Sequence, residues 1–584
     1  MPQRAWWKEA AVYQIYPASF CDLNGDGIGD IPGILSKLDY LESLGVDVVW
    51  LCPVYESPQV DMGYDISDYR AIHAPYGTVQ DVDQLIAALH KRGMKLVMDL
   101  VVNHTSDQHA WFKESRSSLD NPKRDWYIWR KPRWDAEGNR QPPNNWASVF
   151  GGSAWSFDEE TGEYYLHLFC KEQPDLNWEN PEVAQAVHDV MTFWLDKGVD
   201  GFRMDVINFI SKTPGLPDAP VTIPDQQFQP AELHYADGPR LHEFLRGLRG
   251  ILDKYNAFAV GEMPGVKEEA EVLKSVAEDR KELNMIFQFD IICLDNGRNN
   301  KFFPKEWSLP KLKAIVHKWQ TCMFDNGGWN ALFLENHDQS RSVSRFTPHR
   351  PENRNAAAKM LATFMGLQAG TLFVYQGQEL GMANLPKDWG IDEYKDVETQ
   401  NLYRLALEQH RGDPDGAEKV MEQVRLKARD HGRSPMQWNT QKHGGFTTGT
   451  PWMRVNEDYL HCNAEQQQRD PSSVFAYWQR LLWLRKQHAD IFVYGSFELL
   501  AADDPAVVCY RRVHASAGAA TVVLNFTDGE YAWEAPPGVV KAWEGARRIL
   551  ANYAEPGEIR KHSAAVVCLR PFEAVVLLEE RKMC

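Results

Sequence analysis

The chain of 584 residues has no run of eighteen uncharged apolar residues, the length a helix needs to cross a bilayer. Its first residues, Met-Pro-Gln-Arg-Ala-Trp-Trp-Lys-Glu, lack the apolar core of a secretory signal. The nine cysteines are irregularly spaced and contain no C-x-x-C pair. Neither a disulfide framework nor a zinc site is therefore expected, and the cysteines read as the reduced thiols of a cytoplasmic protein. Basic residues are also short: 63 Lys and Arg stand against 81 Asp and Glu, a formal net charge of −18. That balance opposes nucleic acid and anionic lipid and points to a neutral small-molecule partner. Short-period repeats and low-complexity tracts are missing, and no pattern specifies an oligomeric state.

What is there is ordinary globular composition, 43% hydrophobic and 25% charged, enough for a large core. At roughly 150 residues per domain the length suits two to four domains. Apolar runs that read as parallel strands begin near Val12, Val46, Leu96, Val199, Phe258, Ile286, Ala331 and Leu372, and segments of helical periodicity such as Ile34 to Leu44 and Val82 to Lys91 lie between them. Eight strands alternating with helices make an α/β fold, a (β/α)8 TIM barrel, the expectation. Almost a hundred residues separate Asn103 from Val199, too many for one strand-to-helix connection. The barrel is therefore expected in two parts, 1–104 and 175–490, around an inserted subdomain at 105–174. A charged, helix-like and then turn-rich stretch near 380–452 reads as a loop excursion over the barrel mouth. From 491 to 584, segments such as Ala506-Val-Val-Cys-Tyr and Thr521-Val-Val-Leu-Asn alternate with turn residues, the pattern of a C-terminal antiparallel β-sandwich.

Three of the barrel segments end in an acid: Gly198-Val-Asp-Gly-Phe-Arg203-Met-Asp205-Val206, Val260-Gly-Glu262-Met and Phe333-Leu-Glu-Asn-His337-Asp338. Strand alternation puts Arg203 and Asp205 on one face, and three acids at strand ends converge on the C-terminal mouth of a barrel. With Asp99-Leu-Val-Val-Asn-His104 these segments resemble the four signature regions of the α-amylase family of retaining glycoside hydrolases. Gln14-Ile-Tyr-Pro-Ala-Ser-Phe20 and Pro435-Met-Gln-Trp438 resemble its oligo-1,6-glucosidase, isomaltase and maltase branch.

Retention at a glycosidic carbon needs a nucleophilic carboxylate and a protonated carboxyl about 5 to 5.5 Å apart. The resemblance implies Asp205 as nucleophile, held ionised by Arg203, Glu262 as acid and then base, and Asp338 as the third acid on the sugar hydroxyls. It implies His104 and His337 as hydrogen-bonding partners of the same hydroxyls, Phe150 and Phe169 as walls of the sugar pocket, and Asp61, Tyr64 and Arg433 as a clamp on the non-reducing glucose. An Asp and Arg pair closing one end leaves room for one sugar, hence an exo-acting enzyme on short α-glucosides with transglucosylation as a side activity. Val206, beside the nucleophile, goes with α-1,6 preference in this branch. Asp22-Leu-Asn24-Gly-Asp26-Gly-Ile28-Gly-Asp30 sets oxygen ligands at alternate positions, with Gly33 where an EF-hand has Glu. It resembles the branch's structural Ca2+ loop, with Mg2+ as the alternative ion, the Ile28 carbonyl as a ligand and no organic cofactor; a metal-free Asx-turn loop is the competing reading.

The other expectations are an α-1,4-preferring glucosidase acting on maltose or sucrose, and a sucrose isomerase or glucosyltransferase on the same scaffold. Arg341-Ser-Val-Ser-Arg345-Phe does not supply the Arg-rich loop associated with those isomerases. A non-catalytic transporter heavy chain is disfavoured, because all three acids are present and no spanning segment is.

Overall fold

The computed structural model describes residues 3–297, 301–302, 304–348, 350–409, 414–554, 559–561 and 565–579. The two ends of the chain and residues 410–413 of the expected excursion lie outside the described residues. Eight short strands form one parallel sheet: β1 (Ala11–Ile15), β2 (Val48–Leu51), β3 (Lys95–Val101), β4 (Gly201–Asp205), β5 (Phe258–Glu262), β6 (Met285–Phe287), β7 (Ala331–Leu332) and β8 (Thr371–Tyr375). They run in the order β6-β5-β4-β3-β2-β1-β8-β7, and a parallel bridge from Ile286 to Asn330 joins the two edges into a barrel. Both faces of each strand are covered, which is why runs such as Val-Val-Trp-Leu and Phe-Ala-Val-Gly-Glu are buried at every position.

The helices between strands follow local signals. Thr78 and Asp81 form a reciprocal capping box that starts the helix Val79–Lys91, which buries Val82, Leu85, Ile86 and Leu89 on one stripe against the sheet. Asn180 caps the helix Pro181–Asp196, with Pro181 at its first position, where the missing N–H costs nothing.

Between β3 and β4 a three-stranded antiparallel sheet, Trp129–Arg130, Glu163–Leu166 and Trp155–Asp158, and a hairpin of Arg133–Trp134 with Arg140–Gln141 make up the insertion. Its core of Trp146, Trp155, Leu166 and Leu168 is continuous with Val206, Phe209 and Tyr235 from the segment after β4. The insertion is thus seated directly beside the end of the strand that carries Asp205. Helices Val397–Gln409 and Pro414–Lys427 form the excursion after β8. After a helix over Val474–Gln487 the first C-terminal strand begins at Ser496. A five-stranded and a three-stranded sheet follow, and their facing residues Val507, Cys509 and Val523 on one side and Trp533, Val567 and Leu569 on the other share a core. No helix among the described residues is long and apolar enough to cross a membrane.

Candidate active site

Parallel pairing places the first charged groups. In the β3 to β4 register Arg203 lies opposite Asp99, so both side chains leave the sheet on one face and meet. Arg203 Nη1 donates to Asp99 Oδ1 at 2.8 Å and to Asp205 Oδ1 at 2.6 Å. Its Nη2 reaches Glu262 Oε2, at the end of the adjoining strand, at 2.8 Å. One fully buried guanidinium therefore ties together the carboxylates of Asp205 and Glu262, which are 7% and 8% exposed, and holds them facing the same small volume. Behind them Asp99 also accepts from Trp50 Nε1 at 3.1 Å and from the Tyr64 hydroxyl at 3.2 Å.

Removing these acids from water disfavours their charge. Burial raises Asp205 to about 7, against the pull of Arg203, and raises Glu262 to about 8, with the nearby Asp205 adding to the rise. Of the pair, Glu262 holds its proton to the higher pH. In the free enzyme burial thus outweighs Arg203, and Asp205 is not held as far into its ionised form as the sequence suggested. Asp338 behaves oppositely. Burial alone would raise its pKa, but His337, Arg429 and Arg433 pull it below the ordinary carboxylate range. His337 is itself pushed down to about 3 by burial and by the three arginines, so at neutral pH it is an uncharged ring and the guanidiniums of Arg429 and Arg433 are what keep Asp338 ionised. They stand 3.2 and 2.8 Å from Asp338 Oδ1.

The remaining candidates surround these acids. The Gln14 amide lies 2.8 Å from His337 Nδ1; His337 Nε2 lies 2.7 Å from the Tyr64 hydroxyl and 3.2 Å from Asp338 Oδ2. Tyr64 stacks on the His337 ring, 5.2 Å between centroids. His104 Nε2 is 3.1 Å from the Tyr64 carbonyl, and its ring packs on Phe169 at 5.1 Å. Phe169 meets Phe150 edge-on at 5.6 Å. Asp61, Tyr64, His104, Phe150, Phe169, Asp205, Val206, Glu262, Asp338 and Arg429 all line one cavity of about 300 Å³, at the small end of the roughly 300–1,000 Å³ typical of ligand sites.

One pairing needs correction. The sequence paired Asp61 with Arg433, but Asp61 Oδ1 meets Arg429 Nη2 at 3.2 Å. Arg433 instead donates to Asp338 and to the His337 carbonyl, and it is absent from the cavity lining. Asp396 fixes both arginines, at 2.5 Å from Arg429 and 3.3 Å from Arg433. Arg429 also sits over the Phe150 ring at 5.1 Å, so it joins the excursion to the insertion across the pocket. Four site groups were missed in the sequence: Asp99, Gln173, Asp396 and Arg429. Asp99 was legible, being on the inward face of a quoted motif. Gln173, whose amide donates to Asp61 Oδ2 at 3.2 Å, carries no local signal.

Val206 has φ 33° and ψ 44°, a left-handed conformation that a β-branched residue seldom adopts. It turns the Val206 N–H onto Glu262 Oε2 at 3.2 Å while its side chain stays in the cavity wall.

The loop from Asp22 to Asp30 lies apart from these acids. Asp22 accepts from the amides of Gly25 and Gly27, Asn24 from Asp26, Asp26 from Ile28, and Asp30 from Leu23, Asn24 and Gly33. Among the described residues no three acidic, His or Cys side chains stand together as a ready-made cage, so a cation here would draw also on the Asn24 amide oxygen and the Ile28 carbonyl. The donor set is all oxygen, and its three carboxylates have no ion-pair partner among the described residues, which fits a hard cation such as Ca2+ or Mg2+.

Residues 14–495 match the model of the α-amylase catalytic domain. The chain is 51% identical over 577 residues to an α-glucosidase of Schizosaccharomyces pombe, covering 98% of each chain. It is 50% identical over 577 residues to an oligo-1,6-glucosidase of Parageobacillus thermoglucosidasius, covering 98% of this chain and 99% of the relative. The crystal structure of an isomaltulose synthase from Erwinia rhapontici superposes with a TM-score of 0.91 at 40% identity, over 99% of this chain and 100% of the other. A barrel with paired acids at its mouth and full-length similarity on this scale identify the chain as a member of the α-amylase family of glycoside hydrolases.

Proposed function

We propose that the protein is a retaining exo-α-glucosidase of short α-glucosides that favours α-1,6 bonds. The observation that carries this reading is the single guanidinium of Arg203 binding both Asp205 and Glu262 at one side of a pocket whose far end is closed by the Asp61 and Arg429 pair. In the first step an ionised Asp205 oxygen bonds to the anomeric carbon as the bond to the leaving oxygen breaks, and the proton of Glu262 goes to that oxygen. In the second, Glu262 takes a proton from water, whose oxygen displaces Asp205 and restores the α-configuration. A sugar in place of that water gives transglucosylation. Asp338, ionised throughout, would hold the hydroxyls of the bound glucose.

The cavity lining bears six carboxyl groups, Asp61, Asp205, Glu232, Glu262, Asp338 and Glu398, against three cations, Lys301, Lys427 and Arg429. Each cation is already paired, with Glu398, Asp295 and Asp396 respectively, so a neutral sugar suits the site better than a phosphorylated one. Val206 in the wall favours a bond through C6, whose extra torsion lets the leaving sugar clear a branched side chain. The loop of Asp22, Asn24, Asp26, Ile28 and Asp30 would hold a structural Ca2+ that supports the fold and takes no part in the chemistry.

The test is a panel of isomaltose, maltose, sucrose and trehalose with initial rates and the first-formed anomer followed by NMR. The reading expects α-glucose released first and isomaltose the best substrate. No glucose from any of them, or β-glucose first, would overturn it. Sucrose converted to an isomer without free glucose would instead favour the isomerase reading, which the likeness to an isomaltulose synthase supports.

A further inference from the structure

Around the catalytic acids nearly every polar group holds another. In the wall of the same cavity Glu232 and Asn296 do not, among the described residues. Glu232, at the start of the helix Glu232–Tyr235, lines the cavity, and its carboxylate has no hydrogen-bond or ion-pair partner among the described residues. Asn296, on the segment after β6, also lines it, and its Oδ1 is buried without a partner among the described residues. The Asn296 oxygen is buried, and a buried acceptor left unpaired costs free energy unless something donates to it; Glu232 is exposed into the cavity mouth, where water serves its carboxylate until a ligand takes that place.

Their placement says what should. Gly265 lies three residues beyond Glu262 in the same turn, with φ +84°, and a Cβ there would fall 2.5 Å from Glu232 Oε1. Glycine thus makes room for Glu232 beside the loop that carries Glu262, the group that protonates the leaving oxygen. Cys293, three residues before Asn296, feels the charge of Glu232, so the two acceptors flank one stretch of wall. Through its contact with the turn after Glu262, this stretch lies on the side of the group that serves the leaving oxygen.

We propose that Glu232 and Asn296 are specificity-determining residues that accept hydroxyl donors from the leaving sugar, and from an acceptor sugar entering in its place. The inference rests on the glucosidase reading above. A sugar presents several O–H donors there, whereas a simple aryl group presents none. A phosphorylated leaving sugar would bring negative charge against Glu232 and is rejected for that reason.

The experiment compares kcat/KM on p-nitrophenyl α-glucoside with kcat/KM on the better of isomaltose and maltose, for the parent, Glu232→Ala, Glu232→Gln and Asn296→Ala. In Glu232→Ala the disaccharide-to-aryl ratio should fall by about tenfold to a hundredfold, the range for losing a hydrogen bond to a charged group. Glu232→Gln, which keeps an acceptor, should recover part of it, and Asn296→Ala should lower the ratio by a smaller factor. A merely structural role would lower both substrates alike and leave the ratio in place. Ratios within twofold of the parent in both alanine variants overturn the inference while the glucosidase reading stands. A parent that turns over no α-glucoside overturns both.

Discussion

Replacing Arg203 with Lys keeps the positive charge but removes the fork. In the parent, Nη1 serves Asp99 and Asp205 while Nη2 serves Glu262, at 2.6 to 2.8 Å. A single ammonium at the end of a flexible stem cannot hold three carboxylates in that planar arrangement. At least one charge-assisted hydrogen bond is lost, about 1.5–3 kcal/mol, or roughly tenfold to a hundredfold in kcat/KM if the bond matters in the transition state. The pH profile gives a second and sharper readout. The productive form has Asp205 ionised and Glu262 protonated, so activity falls below about 7 as Asp205 gains a proton and above about 8 as Glu262 loses one. After burial, Arg203 is the largest influence on each and lowers both; weakening it lets both rise. The acid limb of Arg203→Lys should therefore move to higher pH, with the optimum following it. The assay is kcat/KM on p-nitrophenyl α-glucoside from pH 5 to 9, on protein whose circular dichroism matches the parent. A variant with the parent's limbs and a rate within threefold of it would refute the idea that this guanidinium sets the ionisation of the pair.

Asp205→Asn keeps the shape of the side chain but cannot attack carbon, so turnover should drop by more than a thousandfold with the fold retained; activity within tenfold of the parent, free of deamidation, would reject Asp205 as nucleophile. Chelation should lower the melting temperature before it alters the kinetics, since an ion bound only to the native state adds stability by mass action; identical melting curves in chelator and in millimolar calcium would count against an exchangeable ion at Asp22 to Asp30. Val206→Thr should shift the isomaltose-to-maltose ratio of kcat/KM toward maltose by a factor that corresponds to about 1–3 kcal/mol, and an unchanged ratio would move linkage choice elsewhere in the wall.

The barrel was legible because its signals are local. Runs such as Val48 to Leu51 and Phe258 to Val260 are apolar at every position, as strands covered on both faces must be, and the expected starts at Val46 and Val199 differ from the observed ones by two residues each. The acids were legible because each follows such a run. What escaped is what distance in the chain conceals. Asp61 and Arg429 are 368 residues apart, and no periodicity says which of two arginines, 429 or 433, a distant loop will meet. The answer lies in the short helix Asp430–Arg433, around which both guanidiniums reach Asp338 but only that of Arg429 faces the pocket and Asp61. The raised Asp205 is of the same kind: an R-x-D pattern reports the cation nearby, whereas the burial that outweighs it belongs to the closed barrel. Glu232 was silent for the opposite reason, since a lone Glu in a polar stretch becomes notable only when the fold leaves it without a partner.

The measurement closest to the central claim is to trap the covalent intermediate. Incubating the protein with an activated fluoroglucoside, whose glycosyl-enzyme hydrolyses slowly, and mapping the adduct by peptide mass spectrometry reports which oxygen attacks carbon. The account predicts one fluoroglucosyl group on the peptide carrying Asp205, lost again on incubation with an acceptor sugar. An adduct on Glu262 or Asp338, or inactivation with no covalent sugar at all, would contradict it.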